Sequence, residues 1–253
     1  TGEAILPPRQ RCEKRRPSSD GSGLHRPHRR PQDSGHRPGG WKGHPAPALY
    51  AVLAHRGFFP VELIKTLRKP DSILQGHPSM RYTPGVDMST GSLGQGISVA
   101  AGMALAAKKQ GKDLRVYTLL GDGEIEEGQV WEAMMFAHHY ELDNLCVIVD
   151  NNDLQIDGRI ADVIDPYPIP EKFKAFGLHV EEIDGHDFDQ IEAALNSAKE
   201  TKGVPTAIIM KTVKGKNISF MENSAGWHGK APNDEEYEIA MKELAAIDEQ
   251  LEK

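Results

Sequence analysis

Asp122 stands between Gly121 and Gly123, and Asn152 closes a second apolar run some thirty residues later. Asp122 offers a carboxylate and Asn152 an amide oxygen, and the backbone just beyond Asn152 can turn a carbonyl inward. Three oxygen donors with one formal charge suit a hard divalent cation, Mg²⁺ or Ca²⁺, whose shell phosphate oxygens and water would complete. The two glycines let the chain turn sharply and bring main-chain N–H groups up to an anion, at a helix start that already favours one. Together these residue types could hold a diphosphate through a bridging metal.

The elements around them fit that use. Val116 to Leu120 is an apolar run of strand length, and it stops at Gly121-Asp122-Gly123. A helical pattern follows, with Val130, Met134 and Ala137 inward and Glu124, Glu126 and Glu127 in its first turn. A second strand run, Leu145 to Val149, ends in Asp150-Asn151-Asn152. This is a βαβ unit whose parallel strands deliver oxygen donors at their carboxyl ends, the edge where open α/β sheets bind ligands. Gly-Asp-Gly alone equally suits a plain strand–turn–helix corner capped by Asp122. The strand closing on Asn-Asn is what favours the ligand site.

The chain has 253 residues and a formal net charge of −7. Residues 1–41 are crowded with Arg, Pro, Ser, Gly and His and lack apolar periodicity, so they are expected to be a disordered or aberrant basic arm. The acidic remainder argues against nucleic acid as a partner. Cys146 lies in a predicted buried strand and reads as a core thiol. No apolar run approaches the ~20 residues of a membrane span, and the amino terminus lacks a signal-peptide apolar stretch, so a cytoplasmic protein is expected. From residue 42 to 253 the pattern is that of a doubly wound α/β domain, with a mainly parallel sheet and helices on both faces. Its inner helix stripes are expected at Leu49, Val52 and Leu53, at Phe188, Ile191 and Leu195, and at Tyr237, Met241, Leu244, Ile247 and Leu251.

The wording GDGEIEEGQVWEA…VIVDNNDLQIDG, with MSTGSLGQG at 88–96 and GWHGKAP at 226–232, resembles transketolase, in particular the amino-terminal subunit of the split type. The resemblance implies the thiamine-diphosphate-binding fold and transfer of a two-carbon ketol unit from a ketose phosphate to an aldose phosphate. It assigns the metal to Asp122, Asn152 and the Leu154 carbonyl. Cofactor contacts fall to His77, Gly91, Leu93, Gly121, Asp122, Gly123, Asn152 and His228, and proton handling or substrate contacts to His44, His77 and His228. Glu127 and Glu132 match acidic residues that link active sites across an interface.

The same family needs a pyrimidine-binding domain that this sequence does not include, which implies a carboxyl-terminal partner subunit and a heterotetramer acting on sugar phosphates. Two departures stand out. Pro45 replaces the family's Ala after Lys42-Gly43-His44. A distorted echo, Ser34-Gly35-His36-Arg37-Pro38-Gly39-Gly40, runs almost directly into that motif, as a frame error or internal deletion in the coding sequence would produce. Such a loss would remove a helical layer over the sheet. Other readings are half of a 1-deoxyxylulose-5-phosphate synthase or of a 2-oxoacid dehydrogenase, or a non-catalytic assembly module.

Overall fold

A computed structural model of the chain describes residues 36–38 and 46–251, all within the compact unit Asp33–Lys253. His44 and most of the basic arm lie outside the described residues. At the centre is a five-stranded parallel sheet in the order β1-β2-β3-β7-β6. Its strands are β1 (His36–Pro38), β2 (Arg115–Gly121), β3 (Leu145–Asn151), β6 (His179–Asp184) and β7 (Thr206–Lys211). A two-residue antiparallel hairpin, β4 (Leu154–Gln155) with β5 (Gly158–Arg159), follows β3 directly. Residues 36–38, which composition assigns to the arm, pair with Arg115–Tyr117 and form the outer strand beside β2.

Strand alternation sorts the core into two layers. Val116, Leu120, Val147, Val149, Ala207 and Ile209 face one side and pack under α2 (Gln95–Lys109), α3 (Gly128–His139) and α5 (Ile169–Ala175). Cys146 and Ile208 face the other and meet Ala194 and Ala198 of α6 (Phe188–Glu200). The β2–α3–β3 step and the β6–α6–β7 step run in opposite directions across the sheet, with their helices on opposite faces. Both crossovers therefore have the same hand, as the handedness rule for parallel units demands. The sheet is covered on both faces, which explains strands that read as nearly continuous apolar runs.

A smaller core lies apart from the sheet. Leu49, Tyr50 and Leu53 of α1 (Ala46–His55) bury against Phe59 and Leu74. The Tyr50 hydroxyl donates to the Gln75 carbonyl at 2.8 Å, and Thr83 Oγ1 donates to the Ile73 carbonyl at 2.6 Å. These contacts fix the loop that carries His77. Val52, expected inward, is 52% exposed; the buried stripe runs instead through Ala46, Leu49, Tyr50 and Leu53. Residues 61–66 form a 3-10 turn where a short α-helix is expected.

Two helices present other faces than their apolar spacing suggests. Phe188, at the start of α6, is 85% exposed, and the helix instead buries Ala194 and Ala198. The small alanines let α6 approach the sheet closely, which leaves no room beneath it for a ring at its first residue. In the final helix, α7 (Asp234–Leu251), Tyr237, Met241 and Leu244 are exposed and Ala240 is the buried residue. No helix among the described residues is long and apolar enough to cross a membrane.

Candidate active site

The parallel register of β2 and β3 sets Gly121 opposite Asp150, so the two strands end side by side. Asp122, the next residue, is only 2% exposed. Its N–H donates to the Asp150 carbonyl at 3.2 Å. Its carboxylate accepts from the Gly123 N–H at 2.8 Å through Oδ1, and from Asn151 Nδ2 at 3.2 Å and the Asp153 N–H at 2.6 Å through Oδ2. All three donors are neutral groups. The β2 tip is thus bonded directly to the β3 tip, one residue beyond Asn152.

Around this carboxylate the surroundings are anionic. Glu126 Oε1 accepts from Gln155 Nε2 at 3.2 Å. Burial pushes its carboxyl above the usual range; the Gln155 bond opposes this, and the charges of Asp122 and Glu127 add to the rise. Asp153 carries a positive φ of 64° and accepts from Arg159 at 2.7 Å. Oxygen donors gathered around a buried carboxylate held by neutral N–H groups suit a divalent cation. The residues present therefore fit the metal that the spacing of Asp122 and Asn152 implies.

The two adjacent asparagines do different work. Asn151 is buried. It donates from Nδ2 to Asp122 and, at 2.9 Å, to the Tyr167 hydroxyl, and its Oδ1 accepts from Lys211 Nζ. The Tyr167 hydroxyl donates onward to Asp153 Oδ1 at 3.3 Å, and burial raises its phenol pKa. Asn152 is half-buried and points elsewhere: its Oδ1 accepts from the Leu154 N–H at 3.1 Å, and its Nδ2 donates to Asp150 Oδ2 at 3.2 Å. Leu154 opens the β4–β5 hairpin. Asp122 is therefore bonded to Asn151 and Asp153, on either side of Asn152, and the 151–154 segment forms one wall of the site.

A glycine-rich loop forms the opposite wall. Gly91 has a φ of 154°, and a Cβ built on it would lie 2.9 Å from His77 Cγ, so the His77 ring packs directly on this backbone. Gly94, the N-cap of α2, has a φ of 73°, and a Cβ there would sit 2.8 Å from Glu127 Cβ. Larger residues at either place would meet both steric contact and the left-handed backbone penalty. Leu93, between them, is 37% exposed. The loop thus adjoins the turn after β2, and His77, Gly91, Gly121, Asp122 and Gly123 belong to two abutting segments.

One functional side chain in this region escapes the helical pattern. Glu124 is expected in the first turn of α3, yet residues Glu124–Glu126 form a separate 3-10 turn and α3 starts only at Gly128. Glu124 is 6% exposed and accepts backbone N–H groups from both Gly121 and Gly94. Glu127 and Glu132 are exposed at the start of α3 and along it. His228 sits exposed after a 3-10 turn, Ala225–Trp227, in a loop steadied by the Phe220–Trp227 ring contact at 5.2 Å. Its association with Asp122 rests on the sequence resemblance alone.

Residues 41–250 match the family model of the transketolase thiamine diphosphate binding domain. The chain belongs to the transketolase family. It is 47% identical over 203 residues to the 6-deoxy-6-sulfo-D-fructose transketolase subunit SqwG of Clostridium sp. (strain MSTE9), covering 80% of this chain and 74% of that protein. It is 43% identical over 203 residues to one of the separately encoded apulose-4-phosphate transketolase subunits, that of Actinobacillus succinogenes, with 80% and 73% covered. Among solved structures, Campylobacter jejuni transketolase superimposes with a TM-score of 0.75 at 33% identity, over 81% of this chain and 33% of that one. The chain thus spans about a third of that solved transketolase but nearly three quarters of the separately encoded subunits. It corresponds to the amino-terminal, thiamine-diphosphate-binding subunit of a split transketolase, with the parallel α/β fold of that family.

Proposed function

We propose that this chain supplies the metal- and diphosphate-holding half of a two-chain transketolase, which works with a pyrimidine-binding carboxyl-terminal subunit in a cytoplasmic heterotetramer. The observation that carries this reading is the buried Asp122 carboxylate at the β2 tip, bonded to the β3 tip through the Asp153 N–H at 2.6 Å. In this reading Asp122, the Asn152 amide oxygen and the Leu154 carbonyl hold Mg²⁺ or Ca²⁺. Asn152 gives up its local bond to the Leu154 N–H when it turns to the cation. Gly121, Gly123 and Gly91 admit the diphosphate close to the backbone, and Leu93 contacts the cofactor between its two ends.

When bound, thiamine diphosphate supplies the nucleophilic carbon that ketol transfer requires. The chain's own residues bind, orient and move protons. His77, held against Gly91, contacts the diphosphate and handles protons beside it; His44 and His228 serve the reacting sugar. Glu127 and Glu132, on the exposed surface of α3, link active sites across the subunit interface. The substrates are sugar phosphates; the sugars named for the related subunits differ from one another, as expected if sugar choice lies largely with the partner.

The test is reconstitution. The purified chain shows no transfer between a ketose phosphate and an aldose phosphate, and adding a pyrimidine-binding transketolase subunit restores it. Turnover by a verified partner-free preparation overturns the two-chain reading.

A further inference from the structure

We propose that Glu124 is a positioning residue that registers the two walls of the cofactor site, an inference that rests on the functional reading above. Its carboxylate reaches across 30 positions of sequence. Oε1 accepts the Gly94 N–H at 3.0 Å and Oε2 accepts the Gly121 N–H at 3.1 Å. Gly121 is the last residue of β2, immediately before Asp122, and Gly94 closes the loop that bears Gly91 and Leu93. One buried side chain therefore fixes the distance between the cation-binding turn and the loop on which His77 rests. Both contacts need acceptors. An ionised carboxylate offers two oxygens and no donor, whereas an amide would set an NH₂ against one of the two backbone N–H groups. A carboxylate bonded to backbone amides in a buried setting makes strong, short-range contacts, so the register is set before any ligand arrives.

Neither wall makes this bridge redundant. Gly94 has a positive φ and caps α2 without a side chain of its own. The Glu127 side chain packs where a Gly94 Cβ would lie, so the loop cannot move toward the turn. The carboxylate keeps it from moving away.

The experiment uses the full chain and the variants E124Q, E124D and, as a charge-matched control, E126Q. Amide exchange and the Gly94 and Gly121 amide resonances are read first, without ligand, with β2 and β3 amides as the check on folding. In E124Q at least one of the two glycine amides exchanges about tenfold faster or more; in E124D, one methylene too short to span both, the same loss appears although the charge remains. E126Q leaves both amides unchanged. Thiamine diphosphate binding with Mg²⁺ is then weakened about tenfold in E124Q and E124D. Wild-type exchange rates at both glycines in E124Q and E124D overturn the proposal, as do unprotected Gly94 and Gly121 amides in the wild-type chain, a measurement that stands even if the variants do not fold. A wild-type chain that binds no thiamine diphosphate defeats the functional reading instead, while the amide data still decide the bridge.

Discussion

At the scale of single residues, the site is governed by where charge sits. Asp122 is buried, and its described bonds come from neutral N–H groups, so a cation is the natural complement to its charge. D122N keeps the shape and removes the charge. Losing such a charge-assisted contact costs about 1.5–3 kcal/mol, so Mg²⁺ and thiamine diphosphate together should raise the melting temperature of the wild-type chain and not that of D122N. Cys146 gives a separate test. Burial pushes its thiol up from 9.0 to about 12, so the folded state disfavours the thiolate. The stability this confers is fully present below pH 9 and lost as pH rises toward 12. At pH 8 an alkylating reagent should modify Cys146 only after denaturant is added, and rapid labelling of the native chain would contradict its burial. Asp122 and its glycines are legible in the sequence because a polar residue closing an apolar strand run must emerge at the carboxyl edge of the sheet. Glu124 is not legible, because a glutamate after Gly-Asp-Gly has the spacing of a helix first turn. Only the intervening 3-10 turn directs it inward. Asn151 and Asn152 are likewise indistinguishable by type, and strand alternation together with the turn after β3 decides which one meets Asp122.

At the scale of elements, helix placement follows from how closely each helix can approach the sheet. Met134 of α3 is fully buried between α2 and the sheet. M134A should therefore cost about 2–5 kcal/mol, measured by urea unfolding. F188S on α6, where the ring is 85% exposed, should change stability by no more than about 0.5 kcal/mol. A large loss in F188S would restore the face that apolar spacing alone suggests. The central βαβ unit and the N-cap of α6, where Asp187 accepts from Asp189 and Gln190 N–H groups, are readable because strong periodicity and capping chemistry agree. The inward faces of α6 and α7 are not. There, alanines bury while larger apolar residues stay outside, and a hydrophobic pattern weights the larger residues.

At the scale of the whole molecule, the sheet brings together residues far apart in sequence by one device: parallel strands that end at the same edge. Gly121 and Asp150 are register partners, and Asn151 pairs with Lys211 on β7. Three strand tips, β2, β3 and β7, thus share one polar cluster, with the Thr212 hydroxyl donating to Asp150 as Lys211 reaches Asn151. This convergence supports a diphosphate site on this chain and leaves the rest of a transketolase reaction to a partner. Mixing the chain with a pyrimidine-binding subunit should give a complex larger than either component by light scattering, and independent migration of the two would count against the assembly. The most direct test is a calorimetric titration of the full chain with thiamine diphosphate, with and without Mg²⁺. Binding that requires the cation is the expected result. Equal affinity in a metal-free titration would contradict it, because the strand tips would then hold the cofactor without the ion that Asp122 is placed to bind.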